Sequence, residues 1–273
     1  MYVLRLLLVA ICIALLPAAT AMTAEQDTVP AEEQIDEKAR EAVARSVKFL
    51  TNLKQLRMSA EFGFDVLQDN GQMLEFGSHQ DRTVQRPDHF RIEVDRRDGA
   101  SGNVVYDGKE IVLFNPEHAV YAKAPFTGEI DDAFDFLAEK LQRPVPLRDF
   151  FASDLEAILL ATIESGLYIE ESTVAGVLCD HVALRNDNVD YQIWIAKGDE
   201  PLPRRMIITH KNEKGWPQFW AQFQKWDLSP KIADGDFIYD PPENAERIPV
   251  AVLDERVPEE GGQPVSYTHL RAH

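Results

Sequence analysis

Cys179, Asp180 and His181 place a thiol, a carboxylate and an imidazole side by side. A thiol beside a base is one way to build a nucleophile. The surrounding alternation of residue types argues against that use. On a strand, Cys179 and His181 project in parallel from one face, whereas Asp180 and His181 point to opposite faces and form no base-and-orienter relay. Cys179 is the lone cysteine beyond residue 21, so it makes no intramolecular disulfide, and it suits a small buried apolar position. His79, His89, His118, His181 and His210 are scattered, and no pair has the spacing of a metal-binding helix motif. The chain has no glycine-rich phosphate loop and no Gly-x-Ser-x-Gly elbow. Trp194, Trp216, Trp220 and Trp226 offer flat faces to a sugar, although such residues more often anchor a sheet. Arg204 and Arg205 are read as partners of acids, with a lipid head group as the alternative. These residues imply no enzyme, no cofactor and no metal. A hydrolase built on His181 and Cys179 is the least favoured reading.

The elements that carry these residues are mostly strands. Residues 177–226 predict four consecutive strands separated by polar breaks such as Asn186-Asp187-Asn188 and Asn212-Glu213-Lys214-Gly215. Such short connections make neighbours antiparallel. Residues 55–68 show the clearest period of two, with Leu56, Met58, Ala60, Phe62, Phe64 and Val66 alternating with polar residues and Gly63. That alternation spans roughly 37 Å at about 3.4 Å per residue, which calls for a strongly curved sheet or half-barrel. Asp69-Asn70-Gly71 turns the chain into residues 73–85, and Asp107-Gly108 marks a second hairpin. Phe90, Ile92 and Val94 share a face of a third strand. Helices are predicted over residues 32–54, 129–141 and 153–165, and a last edge strand over 237–242. Phe134 and Leu137 lie on the apolar face of the second helix. The order of elements suits an α+β fold, a curved antiparallel sheet of about 10–12 strands with helices on one face.

The sequence has 273 residues, 45% hydrophobic and 27% charged, with a net charge of −18. This acidity argues against nucleic acid and anionic membrane surfaces as partners. Residues 1–21 carry Arg5, a short apolar run and Ala19-Thr20-Ala21, the pattern of a cleaved secretory signal that leaves no stable membrane anchor. Residues 22–31 form a polar linker, 32–250 the folded domain, and 251–264 a flexible tail. Residues 265–273 resemble the in-frame translation of a sequencing-library adaptor and are set aside as an artefact.

Arg86-Pro87-Asp88-His89-Phe90-Arg91, Asp180-His181, the run from Asp190 to Ile195, Pro201-Leu202-Pro203-Arg204-Arg205 and residues 237–248 together carry a resemblance. Over about residues 32–250 the chain resembles a family of uncharacterised predicted periplasmic proteins of bacteria, related in fold to the LolA/LolB-like lipoprotein carriers. The resemblance implies an open half-barrel whose concave face is covered by helices acting as a lid, in the periplasm of a Gram-negative bacterium. It implies a monomeric binding or carrier protein for a hydrophobic ligand, such as a lipid or lipoprotein acyl chain. Met58, Ala60, Phe62, Phe64, Val66, Phe90, Ile92, Val94, Phe134 and Leu137 are then the candidate lining of the ligand cavity. A dry core sealed by helices would use the same residues, because burial is worth roughly 1.5–3 kcal/mol per large apolar side chain in either case. The alternative function is a periplasmic protein-interaction or envelope-stress sensor module.

Overall fold

The computed structural model describes residues 35–152, 155, 163–233 and 235–250. The chain divides into two units, Met1–Glu32 and Glu33–His273, and every described residue lies in the second. The expected signal segment 1–21, the linker 22–31, the tail 251–264 and residues 265–273 lie outside the described residues. So does most of the helix expected from Ser153.

Helix α1 (Glu37–Thr51) starts at Asp36, whose carboxylate accepts a hydrogen bond from the Lys38 amide at 2.9 Å. Its buried stripe is Ala39, Ala42, Val43, Val47 and Leu50. The helix expected from residue 32 does not include Ile35 and Asp36, and residues 32–34 lie outside the described ones. Ile35 instead bridges Gly166, and the Asp36 amide donates to the Gly166 carbonyl at 2.8 Å, so this stretch is extended rather than helical.

Twelve strands follow: β1 (Gln55–Leu67), β2 (Met73–Gln85), β3 (His89–Arg96), β4 (Ser101–Tyr106), β5 (Glu110–Asn115), β6 (Val120–Pro125), β7 (Ser165–Val174), β8 (Val177–Arg185), β9 (Val189–Ala196), β10 (Pro203–His210), β11 (Gln218–Asp227) and β12 (Glu246–Arg247). They form one sheet in the order β12-β6-β5-β4-β3-β2-β1-β11-β10-β9-β8-β7. The sheet is open, with β12 and β7 at its two edges, and it is the expected half-barrel. The long β1 sits at its centre between β2 and β11, and a bulge at Gln224 of β11, opposite Ser59 and Ala60, adds local twist. All pairings are antiparallel except that of β12 with β6.

The edge strand expected over residues 237–242 does not form. Phe237 is buried and packs against the His89 ring at 5.2 Å, while Tyr239 packs on Phe114 at 5.1 Å. Pro241 and Pro242 have no N–H to offer a ladder, so the chain joins the sheet only at β12.

Between β6 and β7 lies the helical insert. Its helix α2 (Ile130–Asp135) opens with a reciprocal cap between Glu129 and Asp132. The expected helix continues only as a wider π turn, Phe136–Lys140, and a 3-10 turn, Arg148–Phe151, follows. Helix α1 packs on β7, β8 and β9. The insert reaches the same face farther along, where Phe134 meets Phe90 of β3 at 4.7 Å and Phe150 meets Phe223 of β11 at 5.8 Å. One continuous apolar cluster joins sheet, helix and insert.

Candidate ligand-binding interior

Seven of the ten residues expected to line a cavity are brought together in this cluster. Met58, Ala60, Phe62, Phe90, Ile92, Phe134 and Leu137 are buried side by side, with Val94 partly buried against them. In this conformation they pack on one another, and neither of the two clefts described below is lined by any of the ten. Phe64 and Val66 are only half-buried. They belong to an apolar patch that runs out from under the insert. On β2, Leu74 and Phe76 are 36% and 45% exposed, the Phe64 and Phe76 rings stack at 5.9 Å, and Phe219 leans on Phe62 at 5.9 Å.

The register of the β1–β2 hairpin explains a second feature. It pairs Met58 with Arg82, Ala60 with Gln80 and Phe62 with Ser78, so the inward face of β2 carries a polar row where β1 carries an apolar one. All three polar residues are buried, and Arg82 completely so. They form a chain: Gln80 Nε2 donates to Ser78 Oγ at 3.2 Å, and Arg82 donates twice to Gln80 Oε1, from Nε at 3.2 Å and from Nη2 at 2.7 Å. Arg82 Nη1 donates to the Pro146 carbonyl of the insert at 2.7 Å. The guanidinium lies over the rings of Phe62 and Phe151, 4.9 and 5.7 Å from their centroids. Burial pushes its pKa down to about 9, which still leaves it charged at neutral pH. No carboxylate pairs with it among the described residues.

Arg86, four residues on, holds the rim of the same interface. Its Nε donates to the Leu53 carbonyl at 3.1 Å and its Nη1 to the Phe151 carbonyl, joining the end of α1 to the end of the insert. Its Nη2 is buried and has no hydrogen-bond partner among the described residues. Burial lowers the Arg86 pKa, and the charge of Asp131 opposes that shift. Beside it is a cleft of about 140 Å³ lined by Pro87, Glu129, Ile130 and Asp131. A larger open cleft of about 420 Å³ lies between α1 and the turn after β9, lined by Arg45, Phe49, Leu53 and Pro201 among others. Within the insert, Gln142 and Leu147 take left-handed backbone conformations (φ 53° and 54°), which cost non-glycine residues on the order of 1 kcal/mol each.

The other groups singled out in the sequence take structural positions. Cys179 is buried, with Sγ 3.4 Å from the Val177 carbonyl, and burial pushes its thiol up. His181 stacks on Trp194 at 4.1 Å and bonds Gln192 at 3.2 Å, and burial lowers its pKa. Asp180 points the other way, as the alternation predicts, and its buried carboxylate accepts from Arg45 of α1 at 2.7 Å and from the Tyr168 hydroxyl at 3.0 Å. Arg205 departs from its expected acidic partner. It donates to Gln222 at 3.2 Å and lies over Trp194 and Trp220, because its outward strand position is flanked by those side chains. Among the described residues no group of three or more His, Cys, Asp or Glu side chains could hold a metal ion. Sequence reading missed Ser78, Gln80 and Arg82, and named Arg86 only as part of the resemblance. The signal for the first three was present in β2, where a hairpin turn sets them against the apolar row of β1.

Comparison with solved structures places similar folds in several bacteria. The chain is similar to LprF from Mycobacterium bovis, at 11% identity and a TM-score of 0.46, covering 78% of this chain and 99% of that one. It is similar to the lipoprotein LppX from Mycobacterium tuberculosis, at 12% identity and a TM-score of 0.43, covering 72% and 98%. A LolA-superfamily protein from Nitrosomonas europaea is similar at 9% identity and a TM-score of 0.38, covering 74% and 97%. No curated protein matches the sequence. A family profile matches over residues 39–251, and this chain therefore belongs to the family described as predicted periplasmic protein, DUF2092.

Proposed function

We propose that this periplasmic protein is a carrier that shelters a hydrophobic ligand, a lipid or an acyl chain, between the inner face of its sheet and the insert. The observation that supports this reading is the apolar row of β1 and β2 continuing past its cover. Phe62 is sealed under the insert, while Phe64, Val66, Leu74 and Phe76 on the same face stay partly open to water. An apolar strip that is half inside and half outside suits a chain that threads inward. In this reading the insert lifts. Its polar tethers include cation-to-carbonyl bonds, from Arg82 to Pro146 and from Arg86 to Phe151, and it carries two left-handed residues and a π turn. In this reading, Met58, Ala60, Phe62, Phe64, Val66, Phe90, Ile92, Val94, Phe134 and Leu137 line the space that opens when the insert moves.

Protein purified from its native periplasm, analysed by native mass spectrometry and lipid extraction, is expected to carry a bound lipid. Phe76→Asp, at an exposed position, is expected to leave the melting temperature within a few degrees while weakening uptake of a fluorescent fatty acid about ten-fold or more. A stoichiometric protein partner, no lipid, and unchanged uptake in the variant would replace the carrier by the interaction-module reading.

A further inference from the structure

The buried polar row on β2 has no role in a purely apolar pocket. A guanidinium withdrawn from water loses several kcal/mol of hydration, and buried cations are normally matched by a carboxylate. Arg82 is fully buried, and its recorded partners are neutral oxygens and two phenylalanine rings. An arginine has five N–H donors, and three bonds to Gln80 and Pro146 leave capacity for a bidentate anion. The Pro146 carbonyl belongs to the insert, so lifting the insert removes that acceptor and leaves the cation without it. The Phe76 end of the open apolar strip lies six positions from Arg82 along β2, about 20 Å at 3.3 Å per residue. Greasy entry and buried cation therefore lie on one inward-facing row.

From this arrangement we infer that Arg82, held by Gln80, receives the anionic head of a single-chain amphiphile, a carboxylate or a phosphate, whose tail lies along Phe62, Phe64 and Phe76. In the closed molecule the Pro146 carbonyl holds Nη1 and covers the guanidinium, and one N–H on each of Nη1 and Nη2 is left for the head group once the insert lifts. This inference rests on the carrier reading and adds to it a head-group preference and an orientation, with the charged end innermost.

The test compares three probes of equal chain length on the mature protein by isothermal titration: palmitate, hexadecyl phosphate and hexadecanol. Wild type is expected to bind one or both anionic probes about ten-fold or more tighter than the alcohol, the size of a charge-assisted hydrogen bond. The arm that binds tighter, palmitate or hexadecyl phosphate, identifies the head group. In the Gln80→Leu/Arg82→Met double variant that ratio is expected to collapse to about one. Equal binding of all three probes by wild type overturns the inference and leaves the carrier reading standing. So does a ratio that survives in a folded double variant. Binding of none of the probes by wild type overturns both. The wild-type ratio decides the matter even if the double variant does not fold.

Discussion

Arg82 on β2 and Arg97 in the turn after β3 lie against opposite faces of the sheet and differ in what faces them. Arg97 lies on the outer surface, over Gly77 of β2, whose carbonyl accepts from the Arg97 amide at 3.0 Å. It stacks over Trp220 at 5.6 Å and pairs with Glu75 at 2.8 Å, while Trp220 donates its indole N–H to the same Glu75 at 2.9 Å. Both side chains lie over glycines. A Cβ on Gly63 would sit 2.3 Å from the Trp220 ring, and one on Gly77 would sit 2.7 Å from the Arg97 guanidinium. Everything about this cluster is accounted for by packing and by charge pairing in water. Arg82 has the aromatic stacking and lacks the carboxylate, and it is dry. A cation on the outer face needs no further explanation, because solvent screens it and pairing costs little. A cation on the inner face is a standing expense in stability, which makes it the better pointer to function.

The comparison can be broken at several places. The largest effect is expected from Phe62→Ala, which removes the buried ring that the Arg82 guanidinium lies over. Loss of the ring costs about 3–5 kcal/mol, so the cooperative unfolding transition in denaturant should be shifted strongly or lost. A variant with a wild-type midpoint would mean that the inner face is already open to water.

Next in size is the stability of the Gln80→Leu/Arg82→Met double variant. Leu and Met of similar volume remove the buried charge and its desolvation cost, while the Pro146 carbonyl and the Ser78 hydroxyl lose a partner, which offsets part of that gain. The denaturation midpoint should therefore hold or rise even as head-group preference falls. A clear drop would mean that the polar row also holds the fold together, and the wild-type probe ratio alone would then decide its role toward a ligand.

The smallest effect is expected outside. The hydrogen bond from Arg97, then that from Trp220, holds the Glu75 carboxyl below the usual carboxylate range. A carboxyl with a lowered folded pKa contributes its stability above the unfolded value and loses it as pH falls through the folded one. Glu75→Gln should thus cost under about 1 kcal/mol at neutral pH, the worth of an exposed pair, and the difference from wild type should shrink in acid. Thermal melts of both proteins across that pH range would show it. A difference that grows in acid would reverse the assigned sign.

Much of the fold was legible because strands announce themselves. The alternation from Leu56 to Val66 gave β1, the Asp69-Asn70-Gly71 turn gave its partner, and turn chemistry separated β8 to β11. Legibility failed where a segment's geometry depends on what it touches. The helix expected to residue 141 stops being α-helical at Asp135, where Phe136 turns onto Phe126 at 4.9 Å. Residues 237–242 have a strand-like composition, yet Phe237 and Tyr239 are drawn onto His89 and Phe114 instead. The apolar half of the candidate site was readable for the same reason that β1 was. Its polar half was not, because Ser78, Gln80 and Arg82 look like ordinary surface residues until the register shows which way they point.

Residue order alone was enough to specify a twisted run of antiparallel strands and the two sides of each, since a side chain's direction on a strand follows from its parity and the nearest turn. It could not say which side would be dry. That was decided when the Pro146 carbonyl, 64 positions downstream, came down over Arg82. Water is excluded by segments remote in the chain, and the meaning of a charge depends on whether water is there.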